Sequence, residues 1–285
     1  MAATATFPRN THTSRLPDDE PLVTRLGPDE VRAAAERLEA APAEEVLAWA
    51  LETFGRRCAV VTSFQVEGMV LLDLARQVDP DVRVITIDTG RLPEESYELI
   101  DTVRARLDLD IEVVTPDGAA LEAMVSRHGP NLFRRDRALR RLCCHVRKVE
   151  PLRRALEDLD AWVTGLRRDG GPARAGTAKV EVDHAHGGIV KLNPLADWTR
   201  EQALDYAGTH YLPLHPLYEQ GFTSIGCAPC TRATRPGEGE RAGRWWWEAD
   251  DDRECGLHQQ SPSDRLDAAL AELHAQAAVR RRLPQ

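Results

Sequence analysis

The run Cys58-Ala59-Val60-Val61-Thr62, followed by Ser63-Phe64-Gln65 and then by Val66 to Gln77, decides the fold. Its apolar, β-branched start reads as a buried strand. The short polar turn and the helical pattern behind it complete a strand–loop–helix unit. The same grammar recurs downstream. Val82-Arg83-Val84-Ile85-Thr86-Ile87 is a second strand, Pro93 to Leu107 a second helix with proline in its first turn, and Ile111-Glu112-Val113-Val114 a third strand. Ala161-Trp162-Val163-Thr164 and Ile189-Val190-Lys191-Leu192 supply later strands. Strands alternating with helices of this length predict an α/β fold with a doubly wound, mostly parallel sheet. In such sheets ligands bind at the carboxyl ends of the strands.

Those ends carry polar, glycine-bearing loops: Thr62-Ser63-Phe64-Gln65, Asp88-Thr89-Gly90 and Gly165-Leu166-Arg167-Arg168. The first opens a helix, whose leading backbone N–H groups suit a phosphate. Ser and Thr at such points also serve as ordinary helix caps. There is no Walker-type G-x-x-x-x-G-K-S/T run, which argues against an ordinary P-loop nucleotidase.

Outward from this unit, Pro28 to Phe54 has apolar residues at helical spacing, interrupted near Pro42, and predicts two helices. Residues 1–28, rich in Thr, Pro and Asp and without a continuous apolar core, read as a disordered arm rather than a signal peptide. Beyond Trp198 a short helix (Arg200 to Ala207) leads into a loop-rich C-terminal region. Residues 236–244 are glycine-rich and charged, Trp245-Trp246-Trp247 reads as a packing feature, and 259–285 reads as a helical tail with a basic end. The 285 residues hold one large domain with extensions, or two small ones. No apolar stretch of about 18 residues predicts a membrane span, and cytoplasmic residence is the natural inference. The net charge of −9 argues against a general nucleic-acid binder. Lysine occurs only at 148, 179 and 191, so the positive charge is nearly all arginine, clustered at Arg167-Arg168 with Arg174 and at Arg241 with Arg244. Forked guanidinium donors suit sulfate and phosphate oxygens.

Four cysteines stand in two pairs, Cys143-Cys144 and Cys227-Ala228-Pro229-Cys230. Adjacent side chains on a helix diverge by about 100°, so two neighbouring thiolates converge poorly on one tetrahedral zinc. A cubane can take each on a separate corner. The arrangement favours a [4Fe-4S] cluster, with zinc as the alternative. Cys58, inside an apolar strand, reads as a core filler. Cys255 lies outside both pairs in Arg253-Glu254-Cys255-Gly256-Leu257-His258, where a nearby Arg253 or His258 would lower its thiol pKa.

These motifs resemble the adenylyl-sulfate (APS) reductases of sulfate assimilation, within the phosphoadenylyl-sulfate reductase superfamily. The matching segments are Thr62 to Glu67, Ile87 to Arg91, Cys143 to Lys148, Val163 to Arg168, Lys191 to Trp198, Ile225 to Thr231, Arg241 to Glu248 and Glu254 to His258. The resemblance implies a fold related to adenine-nucleotide α-hydrolases, within a reductase domain spanning 29–258. It implies a cluster on Cys143, Cys144, Cys227 and Cys230. Cys255 is then the nucleophile that attacks APS, giving an S-sulfocysteine and AMP, and thioredoxin releases the sulfite. Ser63, Thr89, Gly90, Lys148, Arg167, Arg174, Arg241, Arg244 and His258 are the implied substrate contacts. Asp169-Gly170-Gly171 stands where the family often has a glutamine–serine pair, which shifts the register of Arg174. The implied partners are APS and thioredoxin, with no nucleic acid and no membrane. A homo-oligomer is left open. The rival readings are a phosphoadenylyl-sulfate (PAPS) reductase or dual-substrate enzyme, a tRNA-thiolation enzyme and a zinc-stabilised adenylate-binding module.

Overall fold

A computed structural model of the protein describes residues 26–248 and Leu270. Two helices lead, α1 (Pro28–Leu38) and α2 (Ala43–Phe54), with Pro42 as the N-cap of the second. The βα alternation follows: β1 (Cys58–Val61), α3 (Val66–Val78), β2 (Val84–Ile87), α4 (Glu94–Leu107) and β3 (Ile111–Val114). A helical stretch then intervenes, made of α5 (Gly118–His128), α6 (Arg137–Cys144), a π-helical turn over His145–Val149 and α7 (Glu150–Ala155). The chain returns to the sheet through β4 (Ala161–Val163), β5 (Val180–Asp183) and β6 (Ile189–Leu192), and ends its regular structure with α8 (Arg200–Thr209).

The six strands lie in the order β3-β2-β1-β4-β6-β5. All pairs are parallel except the edge hairpin β5–β6, where Val182 faces Val190. That hairpin refines the expected parallel sheet: β5 is a strand the apolar runs did not predict. Its signal is weak, two valines alternating with Glu181 and Asp183 on an edge, where one face needs no core.

The inner strands read as nearly continuous apolar runs because both faces are covered. Cys58, Val60, Val84, Ala161, Val163, Val190 and Leu192 point into a core shared with α1, α2, α3, α4 and α8. Ala59, Ile85, Trp162 and Ile189 point the other way, onto Leu152, Leu156 and Leu159. Cys58 is 1 % exposed, and burial pushes its thiol up to about 12, as expected of a core filler. A separate small core gathers Met124, Leu132, Phe133, Leu142, Val146 and Trp245 around Cys143 and Cys230, with Leu270 packed against it. Trp245 is thus a packing residue, while Trp246 is exposed.

Chain progress reverses between β1 and β4: the first three strands step outward one way, and β4 pairs with β1 on its other side. Loops leaving adjacent strands at such a switch point diverge and open a crevice. Among the described residues no helix is long and apolar enough to cross a membrane.

Candidate active site

The crevice at the β1/β4 switch point is the larger of two adjoining cavities. Its floor is the end of β1 and the Thr62–Gln65 loop, its side is Thr164 to Arg167 after β4, and its rim is Ser224 to Gly226 with Arg241 and Arg244. Local geometry holds these loops close. Phe64 is buried at φ 55°, a region costly for a residue with a Cβ, and its N–H donates to Thr62 Oγ1 at 3.0 Å. A Cβ on Gly165 would lie 2.8 Å from Glu67 Cβ, so only glycine lets the two loops meet. The first N–H of α3, on Val66, donates to the Tyr218 hydroxyl at 3.0 Å, so that donor is already engaged.

Six of the residues singled out from the sequence line this cleft: Ser63, Lys148, Arg167, Arg174, Arg241 and Arg244. Five of them are cationic, and Glu67 and Glu240 supply opposing charge. Arg167 is only 2 % exposed. Its Nε donates to Glu67 at 2.8 Å, its Nη2 to Glu240 at 2.9 Å, and its Nη1 pairs with Asp169. A guanidinium held by three carboxylates braces the cleft wall, and their charges offset its own. Asp169, from the segment that departs from the family pattern, also accepts from the Arg200 N–H at 3.1 Å and so ties this wall to α8. Of the three lysines, Lys179 is paired with Asp197 at 2.7 Å and Lys191 with Glu181 at 2.9 Å. Lys148 is the one at the cleft.

The second cavity is rimmed by Cys143, Cys144, Cys227 and Cys230, together with Arg91, Phe133, Arg147, Lys148, Arg244 and Trp245. Lys148 and Arg244 therefore line both spaces. Cys143 and Cys144 end α6, and the π-helical turn that follows brings Arg147 and Lys148 to the same side. Thr89 and Gly90 line neither cavity, but Thr89 reaches the cysteine side: its Oγ1 is 3.3 Å from Cys227 Sγ, and its carbonyl accepts from Arg147 at 2.6 Å. Burial pushes Cys143 upward and Cys230 up to about 12. Burial acts the same way on Cys227, but the Lys148 charge, the Thr89 hydroxyl and the nearby arginines outweigh it, and its pKa is lowered.

Among the described residues no group of three or more His, Cys, Asp or Glu side chains forms a ready single-ion site. The four cysteines instead stand around a space. Among the described residues four buried donors have no protein acceptor, namely Arg91 Nη1, Arg147 Nε, Arg244 Nε and Trp245 Nε1, and all four belong to residues lining this cavity. Buried N–H groups are almost always paired, so their clustering marks a place for an acceptor-rich anion. A cubane on four thiolates is such a group, and the residues present fit it. Nothing in the sequence pattern distinguishes Arg91, Arg147 or the Trp245 indole N–H, although all three lie inside the quoted motifs; only their convergence in space gives them weight. Cys255 and His258 lie outside the described residues, as does most of the two expected terminal segments.

Comparison with known proteins adds to this geometry. Residues 57–233 match the family model described as the phosphoadenosine phosphosulfate reductase domain. A protein of Burkholderia cepacia named adenosine 5'-phosphosulfate reductase is 47% identical over 197 residues, covering 69% of this chain and 78% of its own length. Its namesake in Pseudomonas aeruginosa is 38% identical over 263 residues, 90% of this chain and 97% of its own. Among solved structures, a phosphoadenylyl-sulfate (PAPS) reductase from Candida auris in a phosphate complex superposes with a TM-score of 0.62 at 28% identity. It covers 72% of this chain and 98% of that one.

Proposed function

Since the chain belongs to the phosphoadenosine phosphosulfate reductase family, we propose that it reduces adenylyl sulfate to sulfite and AMP in sulfate assimilation, with thioredoxin as the reductant and Cys255 as the nucleophile. The observation that carries this reading is the shared wall of the two cavities, where Lys148 and Arg244 face both the switch-point crevice and the four-cysteine space. Relatives of similar length bearing the adenosine 5'-phosphosulfate reductase name support the choice of substrate.

The nucleotide lies in the crevice, its phosphosulfate toward Lys148, Arg241 and Arg244. The Cys255 thiolate attacks the sulfur; an S–S bond forms, the S–O bond to the phosphate breaks, and AMP leaves with the electron pair. Cationic side chains offset the repulsion between thiolate and anhydride oxygens and stabilise the charge shifting onto AMP. A thioredoxin thiolate then attacks the Cys255 sulfur and expels sulfite. Thioredoxin's second thiol resolves the mixed disulfide, so its dithiol supplies both electrons. Cys143, Cys144, Cys227 and Cys230 hold one [4Fe-4S] cluster on this reading. When bound, the group would cross-link the two cysteine segments and add to the local field. The orphaned donors around those sulfurs support the assignment. Chemistry that depends on free thiols and thioredoxin fits the cytoplasm.

The test is sulfite release from adenylyl sulfate and from its 3'-phosphorylated form, side by side with thioredoxin. Turnover on the first well above the second is expected. A preference for the 3'-phosphorylated form, or no sulfite from either, would refute the assignment.

A further inference from the structure

Arg91 joins three segments around the four-cysteine cavity. Its carbonyl accepts from the Ala228 N–H at 2.8 Å, between Cys227 and Cys230. Its own N–H donates to Thr89 Oγ1 at 3.2 Å, the hydroxyl that touches Cys227 Sγ. Its guanidinium lies 5.1 Å from the Phe133 ring centroid, and Nη2 reaches Asn131 Oδ1 at 3.4 Å. That leaves Nη1 buried without an acceptor among the described residues. Unlike Lys148 and Arg244, Arg91 is absent from the lining of the switch-point crevice. Its guanidinium therefore faces the cysteine side rather than the crevice.

We propose that Arg91 is a positioning residue for the iron–sulfur group: Nη1 donates to the anion held by the four cysteines, while the Arg91 backbone fixes the loop from Cys227 to Cys230. The inference rests on the cluster assignment above. A buried donor that is also a full positive charge offsets the negative charge of four thiolates and their sulfides, and outer-shell partners of this kind govern how firmly a site keeps its metal. Arg91→Met keeps the stem that packs on Phe133 and removes the charge and the donor. Arg91→Lys keeps the charge and a donor.

The experiment uses full-length protein purified without oxygen, with iron and sulfide analysis, chelator-driven bleaching of the cluster absorbance, and resonance Raman spectra of the Fe–S stretches. Wild type should carry the cluster. Arg91→Met should lose it roughly tenfold faster, the low end of outer-shell effects on metal affinity, or fail to retain it. Its surviving Fe–S stretches should rise in frequency as the N–H···S bond is lost. Arg91→Lys should stay within about threefold of wild type, because the charge is kept. The KM for adenylyl sulfate should be unchanged in any variant that holds the cluster. A Met variant with wild-type bleaching and spectra would overturn the proposal, as would a Lys variant as impaired as the Met variant. Iron-free wild type would instead refute the parent cluster assignment and take this inference with it.

Discussion

Arg244 packs its guanidinium against the bare α-carbon of Gly226. A Cβ at 226 would overlap Cζ and both terminal nitrogens of Arg244, and Nη1 donates to the neighbouring Ile225 carbonyl at 3.0 Å. Arg244 also stacks 4.8 Å from the Trp245 ring centroid, and Trp245 itself sits at φ 41°. Arg244, which with Lys148 borders both cavities, is thus held in place by a missing side chain and by a strained neighbour.

Gly226→Ala should therefore behave like a partial loss of Arg244 without touching any charge. We expect kcat/KM to fall roughly ten- to a hundredfold, the scale of one displaced charge-assisted hydrogen bond, with the fold retained. Steady-state kinetics with circular dichroism is the check. Unchanged kcat/KM would show that Arg244 does not act on the substrate.

Arg241 lines only the crevice, whereas Arg244 lines both spaces. Arg241→Ala should lower kcat/KM by roughly ten- to a thousandfold while iron content stays at the wild-type level. Arg244→Ala should lower both. Equal iron content in the two variants would separate Arg244 from the cysteine side.

Replacing any one of Cys143, Cys144, Cys227 or Cys230 with serine should abolish stoichiometric iron and sulfide, expected at about four of each per chain in the wild type. The same replacement at Cys58 should leave iron untouched and cost only core stability. Stoichiometric zinc in protein purified without oxygen would contradict the cluster assignment.

His215 is 1 % exposed: Leu217 N–H donates to its Nδ1 at 3.3 Å, and its Nε2 stands 2.9 Å from Ser96 Oγ, a crevice residue. Burial is the main cause that lowers its pKa below the reference value of 6.5, with Glu95 opposing in part. A lowered folded-state pKa means that the unfolded chain takes up the proton first. The stability this histidine contributes is complete above 6.5 and is lost as pH falls through the lower folded value. The urea midpoint should drop between about pH 7 and pH 5.5, and less steeply in His215→Gln. Parallel curves for the two proteins would count against this account of His215.

The βα core was legible because each inner strand is an apolar run, both faces being covered, and because Thr62, Asp88 and Gly165 mark the strand ends. The helical stretch Gly118 to Ala155 was not. In α6 the inward positions include Arg140, fully buried, held by Glu248 at 2.6 Å and lying 4.4 Å from the Trp245 ring centroid. A buried arginine with a distant partner breaks the polar–apolar pattern on which sequence reading depends. The cysteine pairs pointed to a candidate site. That Lys148 and Arg244 bridge it to the crevice, and that Arg167 is held by Glu67 and Glu240, follows from contacts far apart in the chain.

Covalent catalysis by Cys255 is tested by a single turnover with adenylyl sulfate and no reductant, followed by mass spectrometry of the whole protein and its peptides. One equivalent of AMP per active site and a sulfonate on Cys255, discharged as sulfite when thioredoxin is added, are expected. Cys255→Ser should keep iron and nucleotide binding but form no adduct, since a serine hydroxyl without an activating base is a poor nucleophile. A sulfonate on Cys58, or full activity in Cys255→Ser, would contradict it.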